Sequence, residues 1–143
     1  MSQENVEIAR RMLDAWNRRD ADTLRALSHL DVEFVNSPTA VEPGTRRGAD
    51  ETEAATRAQW EMLLDARQEI DRIYDRGDEI IVLGRLSRRM PGSEARLEDR
   101  VLTAWTIRDG KVSRAQVLGF GTTEVQEALE AVGLSEQDAH ADT

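Results

Sequence analysis

The chain has 143 residues and a formal net charge of −9, with 39% hydrophobic and 33% charged residues. That length suits one domain with a real core, and the negative balance argues against nucleic acid or an anionic membrane as the main partner. Cysteine is absent, which removes disulfides, thiolate chemistry and Cys-ligated metals, and two histidines do not make a multi-histidine centre. No metal and no cofactor are expected.

The opening MSQENVEI lacks the layout of a secretory signal, and no apolar run approaches the ~18 residues of a membrane span, so a cytoplasmic location is the expectation. Ser2 to Arg18 reads as a helix, with Val6, Ala9, Leu13 and Trp16 on one face and Met12 beside them. Asp20 resembles the N-cap of a short second helix carrying Leu24 and Leu27. Asp31 to Val35 is a short strand candidate, and from Asn36-Ser37-Pro38 to Gly48 the chain reads as loop, broken by Pro43-Gly44. Asp50 and Glu53 form a capping pattern that predicts a third helix from about Glu51 to Ala66. Its face of Thr52, Ala55, Thr56, Gln59 and Leu63 can either pack closely on a sheet or leave space beneath it.

Two hairpins follow. The first joins Glu69–Tyr74 to Glu79–Arg89 through a Gly77-containing turn. Its continuous apolar run Ile80-Ile81-Val82-Leu83 implies either burial on both faces or a closed, strongly curved sheet. The second runs from Arg96 to Leu118, with Val101, Thr103, Trp105 and Ile107 on one face and an Asp109-Gly110 turn. Gly119-Phe120-Gly121 ends the sheet, and Thr123 with Gln126 predicts a capped last helix bearing Val125, Leu129 and Val132 and stopped by Gly133. From Ser135 to Thr143 the acidic tail is expected to be disordered.

This order of elements is an α+β pattern. The stretches ARRMLDAWNRRDADTLRAL, EPGTRRGADE, IYDRGDEIIVLGRL, AWTIRDGKVSRAQV and EALEAVGL together resemble the SnoaL-like branch of the nuclear transport factor 2-like superfamily, over nearly all of Val6 to Leu134. The resemblance implies a single domain over 1–134. It also implies a cone-shaped α+β barrel, in which a strongly curved antiparallel sheet wraps around three N-terminal helices and a short C-terminal helix is added. Inside it the family keeps a pocket for a small, mostly apolar molecule, and the outer sheet face often forms a homodimer. Here that contact would be Arg100, Leu102, Ala104 and Thr106.

On the same resemblance, Met12, Trp16, Phe34, Asn36, Ser37, Trp60, Val101, Trp105 and Phe120 would line the pocket. Relatives include cyclases and isomerases that move protons without a cofactor, on substrates of polyketide or steroid size. For such chemistry Asp99 is the candidate base, by strand parity with Thr103, and Thr103 and Gln116 are the orienting donors. Asp99 also has a plainer reading, as a strand-end carboxylate paired with Arg85, Arg88 or Arg100. Ketosteroid isomerase activity itself is not expected, because Ser37, Met12 and Thr103 stand where that relative has its base and two oxyanion donors. Epoxide hydrolysis would need Asp99 and an arginine on one buried site. His29 reads either as a general base or as a helix-terminus histidine. Arg18-Arg19, Arg46-Arg47 and Arg88-Arg89 read as solvated surface. A non-enzymatic binding or assembly module is the alternative function.

Overall fold

The computed structural model describes residues 2–40, 42–136 and 140–141. In chain order they form α1 (Ser2–Asn17), α2 (Ala21–Ala26), β1 (Ser28–Asn36), β2 (Gly44–Arg47), α3 (Ala49–Met62), β3 (Leu64–Arg76), β4 (Glu79–Arg89), β5 (Arg96–Arg108), β6 (Lys111–Phe120), α4 (Thr122–Ala131) and β7 (His140–Ala141). The strands make one sheet in the order β2-β1-β6-β5-β4-β3-β7. All pairings are antiparallel except β1 with β6, which is parallel.

That order corrects the expected cone-shaped barrel. The sheet is mixed rather than antiparallel, and β2 and β7 are its two edges, so it is open, neither closed into a barrel nor strongly curved. The run Ile80 to Leu83 has the other origin that its pattern allowed. Ile80 and Val82 point to the inner face, where they pack with Ile73, Ile107, Val112 and the Val6, Ala9, Met12 and Leu13 stripe of α1. Ile81 and Leu83 point to the outer face, where Val125 and Leu129 of α4 cover them together with Tyr74 and Leu102. Helices on both faces give β4 two dry sides, and each large aliphatic side chain so buried contributes about 1.5–3 kcal/mol.

The same packing covers part of the expected subunit contact within the chain itself. Leu102 is 0% and Ala104 5% exposed in the single chain, already beneath α4, and Arg100 is ion-paired with Glu136. Segment Gly44–Arg47, expected as loop, is an edge strand paired with β1. Helix α3 ends at Met62, short of the expected Ala66, because Leu63 is already extended and β3 begins at Leu64. Of the tail expected to be disordered from Ser135, Ser135, Glu136 and His140–Ala141 are described, the last two paired with Arg72 and Ile73 at the edge of β3, and 137–139 and 142–143 lie outside the described residues. No helix among the described residues is long and apolar enough to cross a membrane.

Candidate functional site

Between the inner sheet face and α1, α2 and α3 lies a cavity of about 420 Å³. Met12 and Trp16 enter it from α1 because they share the helix face that carries Ala9 and Leu13 into the core. Thr52, Thr56, Gln59 and Leu63, the small and mixed face of α3, form the opposite wall, so that face leaves space beneath it. Strand alternation supplies the floor: Val101, Thr103 and Trp105 from β5, with Leu86 and Arg88 from β4 in the same register. Phe34 and Asn36 of β1, Ser37 after it, and Phe120 at the end of β6 complete the wall.

Two of the expected residues stand apart. Trp60 is absent from the wall; it backs Trp16, with ring centroids 6.3 Å apart, in a separate cluster with Ala21 and Ala66. Gln116 borders the cavity, but its register partners are Ala104 and Val35, and Ala104 belongs to the outer-face core. Alternation therefore turns the Gln116 side chain away and leaves its main chain to the wall. Thr103 is in place, and its hydroxyl oxygen accepts a hydrogen bond from Trp105 Nε1 at 2.9 Å. Trp16 Nε1 donates to Gln59 Oε1 at 3.4 Å, tying α1 to α3. Thr52 also borders the cavity, and its Oγ1 is buried with no hydrogen-bond partner among the described residues.

Asp99 is not part of the wall among the described residues. Its Oδ2 lies 2.8 Å from Nη1 of Arg88, with the carboxylate 38% exposed and the Arg88 side chain 10%. The plainer reading of Asp99 is thus the observed geometry, except that its partner is buried. Arg88 is the residue that sequence reasoning missed. It was grouped with Arg89 as solvated surface, yet it shares strand parity with Ile80, Val82 and Leu86, which is the signal that could have found it. Its Cζ stands 5.4 Å from the centroid of the Phe120 ring, a cation–π distance, and its Nη1 donates to the Leu86 carbonyl at 3.3 Å.

The cavity lip is a hydrogen-bonded unit. Ser37 Oγ and Thr39 Oγ1 are 2.9 Å apart, and Thr39 Oγ1 donates to Glu124 Oε2 at 2.7 Å. The other Glu124 oxygen accepts from the Phe120 backbone N–H at 3.1 Å. These donors hold the Glu124 carboxyl below its usual value, the Thr39 hydroxyl most of all. The side chain of Asn36 is bound to the loop, donating to the Glu42 carbonyl at 3.1 Å. His29 lies on β1, half-buried, with Nε2 2.6 Å from the Arg108 carbonyl.

Comparison with solved structures gives the same architecture. A nuclear transport factor 2-like protein from Burkholderia xenovorans is 26% identical, with TM-score 0.70 over 88% of this chain and 95% of its own. A second such protein, of unknown function, from Burkholderia pseudomallei is 22% identical with TM-score 0.75, over 87% of this chain and 96% of its own. An LEH-like epoxide hydrolase of M. tuberculosis is 18% identical with TM-score 0.70, over 90% of this chain and 91% of its own. No functionally curated protein matches the sequence. The SnoaL-like domain profile matches residues 9–115, and those residues carry α1, the β1 strand, the α3 roof and most of the β-sheet floor just described. The chain therefore belongs to the SnoaL-like branch of the nuclear transport factor 2-like superfamily.

Proposed function

We propose that this SnoaL-like protein binds a small, mostly apolar molecule in the cavity beneath α3. One observation carries the reading: the space is about 420 Å³, within the ~300–1,000 Å³ range of small-molecule sites, and its wall is dominated by Met12, Trp16, Phe34, Val101, Trp105 and Phe120. Polar groups at that wall, among them Thr52, Thr103 and Arg88, would fix orientation. An assembly module would have no use for an open interior, so the cavity favours binding over that alternative.

The test uses the indole emission of Trp16 and Trp105 as reporter, with a panel of steroids and fused-ring aromatic molecules. A ligand of the expected kind gives a saturable change in emission, and at a hundredfold excess over Kd it stabilises the fold by about 2.7 kcal/mol in thermal unfolding. If no member of the panel saturates the signal or raises the melting temperature, the reading is wrong.

Cofactor-independent proton transfer is a second reading, favoured by Asp99 standing 2.8 Å from a wall residue, Arg88. In it Asp99 takes the proton and Thr103 orients the substrate oxygen. Asp99→Asn would then abolish turnover of any substrate found while binding persists, and unchanged turnover removes Asp99 from the chemistry.

A further inference from the structure

The buried end of the cavity holds a cation with donors to spare. Arg88 is 9% exposed and belongs to the wall. A guanidinium carries five N–H donors in a rigid fork. Among the described residues Arg88 makes one hydrogen bond, Nη1 to the Leu86 carbonyl, and the ion-pair contact with Asp99 is recorded at that same nitrogen. No protein acceptor among the described residues takes a hydrogen bond from Nε or Nη2.

The charge is unevenly met as well. Asp99 is outside the wall and more than a third exposed, while the guanidinium lines it; the carboxylates that do line the wall, Glu33 and Glu53, are paired with Arg47 and Arg25, so neither of them is the partner of Arg88. Burying a cation is unfavourable until its charge and its donors are both satisfied. Phe120 presents its ring face to the guanidinium and contributes to holding it in place, but a ring face accepts no conventional hydrogen bond from the remaining fork. What completes such a group is a pair of oxygens in one plane.

We propose that Arg88 anchors the ligand of this cavity, and that the ligand is an apolar acid: a hydrocarbon or aromatic body with a carboxylate that accepts from the free edge of the guanidinium. The proposal rests on the reading of the cavity as a ligand site and specifies the chemical class it takes. Asp99 then acts as a competitor for the same cation, held outside while the carboxylate enters from within. The net charge of −9 slows the approach of an anion from solution, but that repulsion is screened within about 10 Å at moderate salt and does not act on a bound group in the same way.

The experiment is calorimetric titration of the full chain near neutral pH with naphthaleneacetate and with naphthaleneacetamide, which differ in charge and hardly at all in shape. The wild-type protein is expected to bind the acid at least about tenfold more tightly than the amide, as a charge-assisted pair implies. Arg88→Met should abolish the preference of the acid over the amide, and Arg88→Lys should keep only part of it. Asp99→Asn should tighten acid binding several-fold, a result that a purely structural Arg88 would not produce, and this variant decides the matter should Arg88→Met fail to fold. Equal binding of acid and amide by the wild-type protein, or an Asp99→Asn variant with unchanged acid affinity, overturns the anchoring role while leaving the cavity a ligand site. Binding of neither probe overturns both.

Discussion

Gly84 of β4 stands opposite Ile70 of β3. A Cβ built on it would meet the Glu69 carbonyl oxygen at 2.4 Å, and because that neighbour is backbone, the strand itself would have to move. The register slip between Ile70 and Arg72 lies beside this approach. Gly84→Ala is therefore expected to lower stability by about 1–3 kcal/mol, the usual cost of overpacking, read as a lower urea midpoint with an unchanged slope. At this scale the sequence was partly legible. The parity of Val101, Thr103 and Trp105 is visible in a single strand, and all three reach the wall. Gln116 was not legible, because its facing depends on register with Ala104 across the β5–β6 hairpin and with Val35, which lies far away along the chain. Arg88 was hidden by its chemistry: an arginine next to an arginine reads as surface, although its parity with Leu86 says otherwise.

Helices α3 and α4 begin in the same way. Each follows a strand and has a glycine N-cap with positive φ, 89° at Gly48 and 91° at Gly121, without any side-chain cap bond. In each, a glutamate three residues on reaches back to the N–H preceding the glycine: Glu51 to Arg47 at 3.1 Å and Glu124 to Phe120 at 3.1 Å. The capping boxes expected at Asp50/Glu53 and Thr123/Gln126 are each two residues out of frame. Asp50 and Glu53 instead hold Arg25, and Gln126 bonds to Glu130. A search for an oxygen-bearing N-cap passes over glycine, yet only glycine takes this backbone conformation without strain. The short G-x-x-E signature after a strand was the legible sign. Edge strand β2 gave no sign at all, since four mostly exposed residues carry no alternation.

The acid at the start of α4 also makes a pH prediction. The folded Glu124 carboxyl lies below its ordinary value of 4.5, held there by Thr39, the Phe120 N–H and Ser37. A lowered folded pKa contributes stability that is fully present above the unfolded value and is lost as the pH falls through the folded one. Melting temperature should thus decline on acidification below about pH 4.5, and Glu124→Gln should flatten that decline while lowering the plateau above it. Thermal scans at a series of pH values check both; identical acid limbs for the two proteins would show that the lip contributes nothing.

Across the whole molecule, the sheet is sandwiched by helices of the same chain. Leu129 is 1% exposed against Leu102 and Ile81, so Leu129→Ala should cost about 2–5 kcal/mol in chemical denaturation, independent of protein concentration. A loss that shrinks as the concentration is raised would instead put this face in an intermolecular contact. The family resemblance was legible from five stretches of sequence, but the enclosure was not. A run such as Ile80 to Leu83 has the same pattern whether a closed sheet or a second helix layer dries its outer side, and only the position of α4 distinguishes them.

The parallel pairing of β1 with β6 has a temporal consequence. Phe34 meets Ala115, and Val35 meets Gln116, across more than half the length of the chain. Contacts so distant along the chain close late and set a slow rate for the entire fold. A nascent polypeptide still lacking Lys111–Phe120 on the ribosome has α1, α2, α3 and its first long hairpin, but neither the strand that joins β1 to β5 nor α4 behind it. A ligand of the proposed kind can therefore stabilise this protein only after synthesis has passed that strand, because Val112, Ala115 and Val117 of β6 are part of the cavity wall.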